Sequence, residues 1–154
     1  MSKATLNEIY LIGLSLKTKT TNDNGQSSID CKNLWHEFED GKYAAVIPHK
    51  LSDEIYGVYH HYEGDSTKPF SYFIGCKVEK GTTAPKGLES LTIPAGNYEK
   101  VIVNGKMPDC VVNAWQEIWA ADYARAYHTD FEIYDERSKD WNQAEVDVFV
   151  SVKG

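Results

Sequence analysis

Residues 129–136 read TDFEIYDE, and residues 55–59 read IYGVY. Phe131, Ile133 and Tyr134 suit a pleated, half-buried surface, so the first stretch reads as a strand with a carboxylate, Glu132, in its middle. On a strand Glu132 shares a face with Asp130 and Tyr134, while Phe131 and Ile133 point the other way. Matching the two stretches sets Gly57 against Glu132 and Tyr59 against Tyr134. How far that match extends along the chain decides the fold.

It extends through both halves. LWHEF (34–38) resembles AWQEI (114–118), and FSYFIGCKV (70–78) sits where AEVDVFVSV (144–152) sits. In the first half, EIYLIGLSL (8–16) reads as a strand and the polar KTKTTNDNGQSS as a loop. SIDCKNLWHEFED (28–40) reads as a helix with Ser28 as N-cap and Ile29, Leu34, Trp35 and Phe38 as its apolar stripe. GKYAAVIPHKLSD is irregular, EIYGVYHHY (54–62) is a strand, EGDSTKP a turn, and 70–78 pairs back as a hairpin. In the second half, 97–104 is a strand and MPDCVVNAWQEIWAADYARA (107–126) a helix with Pro108 in its first turn. DFEIYDER (130–137) and 144–152 are then strands. The Gly-, Pro- and Thr-rich EKGTTAPKGLESLTIPAG (79–96) reads as a connection.

The expected fold class is α+β: a pseudo-two-fold duplicated β-α-β-β module, with an antiparallel sheet and two main helices on one face. The 154 residues form one domain of two pseudo-repeats, about 1–80 and 88–154, that share a core neither could build alone. The natural place for a ligand cleft is the pseudo-dyad, between helices and sheet. There the repeats differ, one offering Gly57 and the other Glu132.

Composition narrows the function. Apolar content of 42% with 25% charge is that of a globular chain, and no apolar run approaches the ~20 residues of a membrane span. The N-terminus lacks the layout of a signal peptide, so the expected location is cytoplasmic. A net charge of -7 without a basic cluster argues against direct nucleic acid binding and mildly favours cations. Three scattered cysteines and five histidines show no metal-ligand spacing, so no metal or cofactor is expected. His60 and His61, adjacent on a strand, are expected on opposite faces. Asp135, Glu136 and Asp140 read as a solvated acidic loop. Aromatic residues make up 12% of the chain, many of them tyrosines inside apolar runs, which fits either a lined cavity or strand edges with wet hydroxyls.

The ordered set LTIPAGNYEKVIVNG, AWQEIW, DFEIYDER and AEVDVFVSV, with IYGVYHHY and YFIGCKV before it, resembles the effector-binding domain of the gyrase-inhibitor-like superfamily. That domain ends many AraC-type and MerR-type transcription activators and also stands alone, including on integron gene cassettes. The resemblance covers roughly residues 8–153. It implies two β-α-β-β modules around an aromatic pocket for small, often cationic and amphipathic, organic molecules. In cation-binding members a pocket glutamate on the strand after the second helix supplies the counter-charge, and Glu132 matches it.

On that resemblance Glu132 faces inward with Tyr134. The other expected wall residues are Tyr59, Phe149, Trp115, Trp119 and Trp35, with plain core packing as the alternative for the tryptophans. Tyr72, Ile74 and Cys76 are expected to pack in the sheet. The implied partner is a cationic amphipathic small molecule. No DNA-binding domain is recognised here, and a homodimer or a separate DNA-binding partner stays open. Two alternatives remain: a hydrolase of the same superfamily with Glu132 as general base, or a gyrase-inhibitor-like protein-interaction module.

Overall fold

A computed structural model describes residues 2–65, 67–121 and 124–153. Eight antiparallel strands form one sheet: β1 (Ser2–Leu6), β2 (Ile9–Ser15), β3 (Lys50–His60), β4 (Ser71–Val78), β5 (Glu89–Ile93), β6 (Gly96–Gly105), β7 (Thr129–Tyr134) and β8 (Ala144–Ser151). Helix α1 (Gln26–Asp40) joins β2 to β3, and α2 (Asp109–Ala120) joins β6 to β7. The strand order is β1-β6-β8-β7-β3-β4-β2-β5. From the centre outward, both halves run through the strand after the helix, the last strand of the unit, the strand before the helix, and an edge strand.

The register fixes the centre. Strands β3 and β7 pair so that Gly57 faces Glu132, flanked by Ile55 with Tyr134 and Tyr59 with Asp130. Gly57 and Glu132 are also positions that the sequence repeat equates. In two antiparallel strands related by a two-fold axis, only the residues on the axis pair with their own counterparts. The glycine–glutamate difference therefore lies on the pseudo-dyad itself.

The edge strands correct the sequence reading. β1 was not expected, and β5 lies inside the segment read as a plain connection. Each is five residues long with little buried surface, so its alternation signal is weak. β1 pairs with β6 of the second half, and β5 with β2 of the first.

Helix ends also move. α1 begins at Gln26 after Gly25, whose φ of 70° closes the preceding turn, so Ser28 lies inside the helix rather than capping it. α2 stops at Ala120, short of the expected 126, because the following chain is drawn to β8. Ala126 N donates to the Ser151 carbonyl (2.9 Å) and Lys153 N to the Ala124 carbonyl (2.7 Å). Asp122 and Tyr123 of that expected helix, and Ser66 of the expected turn, lie outside the described residues. Strand β3 starts at Lys50, within the stretch read as irregular.

The core has three parts. On one sheet face α1 buries Leu34 and Phe38 against Ile12, Ile74 and Cys76. On the same face α2 buries Val111, Trp115 and Ile118 against Val146, Val148 and Val150. These two clusters do not merge; half-buried Tyr59 packs against both. On the opposite face the buried cluster among the described residues comes from strands, among them Leu11, Tyr56, Val58, Phe73, Tyr98, Phe131 and Phe149, as the sheet curls around them.

Phe131 is the hub of that third cluster, stacked on Phe149 at 4.8 Å and within 6 Å of the Tyr56 and Tyr98 rings. Truncating it removes a buried ring where the neighbours cannot collapse. Phe131→Ala is expected to lower the unfolding free energy by about 3–5 kcal/mol. Urea denaturation checks this: a loss below about 1 kcal/mol would contradict the packing described.

Candidate functional site

The gap between the two helix-side clusters opens as a cleft of about 1130 Å³. Its floor is the centre of the sheet and its walls are α1 and α2. Tyr59, Tyr72, Glu132 and Tyr134 rise from the strands, Trp35 from α1, and Trp115 and Trp119 from α2. Alternation along β3, β4 and β7 aims these strand residues at the helices, and sends Val58, Phe73, Phe131 and Ile133 to the other face.

Glu132 is the polar centre. It is 1% exposed and accepts three hydrogen bonds. Tyr134 Oη donates to Oε1 at 2.7 Å; Trp115 Nε1 and Tyr59 Oη donate to Oε2 at 2.5 and 3.1 Å. All three donors are neutral. Burial raises the Glu132 carboxyl above its ordinary range, and the hydrogen bonds from Tyr134, Trp115 and Tyr59 only partly oppose it. Burial first, and the glutamate next, push the Tyr59, Tyr72 and Tyr134 hydroxyls well up. They stay protonated and can donate. The Cys31 thiol, on the α1 wall, is likewise raised by burial and then by Glu132, so it is not a thiolate.

Gly57 makes room for this arrangement. A Cβ there would come 2.4 Å from Tyr72 Oη and 3.3 Å from Glu132 Oε1. Tyr72 Oη in turn accepts from Trp35 Nε1 at 2.8 Å, and the Trp35 ring meets Tyr134 edge-on at 5.0 Å. Tyr59 touches the Tyr72 and Trp115 rings at 4.8 and 5.0 Å. The carboxylate is thus ringed by aromatic groups with no charged partner among the described residues.

The structure brings Glu132, Tyr134, Tyr59, Trp115 and Trp35 together. Trp119 stands apart at the mouth, 42% exposed. Phe149 is a correction: it faces the opposite side of the sheet. Its backbone partner is Phe131, and Val148 takes the place beside Glu132. Tyr72 is a second correction, since it lines the cleft, while Ile74 and Cys76 pack in the core as expected. His60 and His61 do not diverge; β3 ends at His60, His61 adopts φ 52°, and their Nδ1 atoms meet. Burial, then His61 and Lys19, lower the His60 imidazole to about 4, so it is neutral. The acidic loop is only partly solvated, because Arg137 ties Asp135 to Glu145 and Asp147.

The sequence reading also missed Asp130, Arg125, Tyr62 and Phe70. Asp130 is fully buried and paired with Arg125 at 2.6 Å, and Arg125, Tyr62 and Phe70 line the same cleft. The available signal was Asp130 two residues before Glu132 on the same strand face. Among the described residues no group of His, Cys, Asp or Glu is placed to hold a metal, and no helix is long and apolar enough to cross a membrane.

The raised Glu132 carboxyl has a signed consequence. The folded state holds that proton more tightly than the unfolded state. As pH rises above the ordinary carboxyl value of 4.5, the unfolded chain releases its proton first, and folding loses stability until Glu132 itself ionises. The stability of wild type minus that of Glu132→Gln should therefore fall as pH rises from about 4 toward neutrality, read by urea denaturation of both proteins. A difference independent of pH, or one that grows, contradicts this.

Residues 4–152 match the family described as Cass2, integron-associated effector binding protein. The chain is 28% identical to an integron cassette protein from the mobile metagenome of Vibrio cholerae, covering 99% of this chain and 95% of that one at a TM-score of 0.71. SAV2435, solved bound to tetraphenylphosphonium, shares the fold at a TM-score of 0.77 and 18% identity over 99% and 93% of the two chains. The Bacillus subtilis (strain 168) protein named "Putative transcriptional regulator protein YobU" is 26% identical over 124 residues, 78% of each chain. With nearly its whole length matched and the cleft of an effector domain at its centre, the chain belongs to the Cass2 family of integron-associated effector-binding proteins.

Proposed function

We propose that the cleft binds cationic, amphipathic organic compounds such as dyes and drugs, with Glu132 as their counter-charge. One observation carries this reading: a buried carboxylate whose three partners are all neutral. Neutral donors stabilise an anion only in part, so burial still disfavours its charge. A cation entering the cleft supplies the missing charge where water does not screen it. Each ring face adds about 0.5–2 kcal/mol of cation–π attraction. Neutral aromatics lack the ion pair, and anions are repelled. Few directional contacts are imposed, so the site accepts varied skeletons.

The tetraphenylphosphonium complex of SAV2435, which has the same fold, supports this choice of ligand class. The name of YobU supports a regulatory output, through a separate DNA-binding partner or through sequestration of the compound. Against hydrolysis, Glu132 already accepts three hydrogen bonds, the setting of a counter-charge rather than of a base poised to take a proton from water.

Thermal-shift titration tests the proposal. Tetraphenylphosphonium and cationic dyes should raise the melting temperature of wild type by mass action, and matched anionic and neutral dyes should not. Glu132→Gln should weaken cation binding by at least about tenfold, the loss of one buried ion pair. Equal shifts in wild type and Glu132→Gln would overturn the assignment of Glu132.

A further inference from the structure

The cleft has a second buried charged pole, and it is not satisfied. Arg125 donates through Nη2 to Asp130, yet its Nε and Nη1 are buried and meet no acceptor among the described residues. Asp130 is well supplied: Tyr62 Oη, Ser151 N and Ser151 Oγ all donate to it besides Arg125. The excess is therefore on the donor side. A buried guanidinium left with unused donors is costly, and native structures rarely keep one without a role.

Arg125 lines the same cleft as Glu132. Asp130 and Glu132 are two residues apart on one face of β7, about 7 Å along the strand. Aromatic rings connect the two poles: Tyr59 meets Phe70 at 5.7 Å, Phe70 meets Tyr62 at 5.6 Å, and Tyr62 meets Tyr127 at 5.9 Å. Tyr127 lies over the guanidinium at 4.2 Å and is half-buried.

We infer that the cleft is bipolar: Arg125 forms an acceptor subsite, and the preferred ligands are aromatic cations that also carry a hydrogen-bond acceptor, above all a carboxylate. This rests on the cation reading of Glu132. The ligand's cation sits against Glu132, its ring system lies along the aromatic corridor, and its acceptor takes the free donors of Arg125. Tyr127 is the side chain that yields to admit it.

Two xanthylium dyes provide the test. Rhodamine B and tetraethylrosamine differ only by a carboxyl group. Fluorescence anisotropy should show wild type binding rhodamine B about tenfold more tightly. Arg125→Lys, which keeps the charge facing Asp130 but loses the guanidinium fork, should abolish that preference. Rosamine binding with no preference for rhodamine B overturns the Arg125 subsite alone, and this comparison needs no variant. A preference that survives in Arg125→Lys also overturns it. Binding of neither dye overturns the cation reading beneath it.

Discussion

The organisation of this protein turns on one buried carboxylate held by neutral donors on an axis of near-symmetry. A duplicated sheet would by itself produce a symmetric cleft at its dyad, with equivalent residues facing each other where the axis crosses β3 and β7. Here the axis passes through Gly57 and Glu132. Glycine in one copy leaves the space into which the glutamate of the other copy and the Tyr72 hydroxyl both fit. The donors come from three elements: Tyr59 from β3, Tyr134 from β7 and Trp115 from α2. Removing the charge would leave a polar knot with too many donors; ringing it with cations would remove the reason for a cleft.

The same arrangement explains why the helix-side core is split. A continuous core between α1 and α2 would bury more apolar surface, but it would also close over Glu132. Instead each helix packs on its own half of the sheet, and the stability of the centre comes from the opposite face. There Phe131, Phe149, Tyr98 and Tyr56 form an aromatic cluster without any helix. Strand β7 serves both tasks by alternation: Phe131 and Ile133 join the sheet-only core, and Glu132 and Tyr134 line the cleft, with Asp130 buried on their face of the strand.

Much of this was legible in the sequence, for identifiable reasons. The repeat was visible because LWHEF and AWQEI, and IYGVY and DFEIY, preserve the spacing of residues that the fold must bury. Glu132 stood out because it interrupts an apolar strand, although its inward orientation rested on family resemblance. Phe149 was misplaced although β8 alternates: Glu145, Asp147 and Ser151 share its face, while Val146, Val148 and Val150 take the helix side, and its pairing with Phe131 confirms that phase. The edge strands were missed because five-residue strands paired on one side carry little pattern. The Arg125–Asp130 pair was hidden because its arginine lay in a segment read as helix, which left Asp130 without a visible partner.

The central claim is that a bound cation, and not only hydrogen bonds, makes the charge of Glu132 tolerable. The most direct measurement is infrared difference spectroscopy of the Glu132 carboxyl, wild type minus Glu132→Gln, titrated with and without tetraphenylphosphonium. The account predicts a raised carboxyl midpoint in the free protein that falls by about one unit or more when the cation binds. A midpoint that is unchanged or higher in the complex would contradict it.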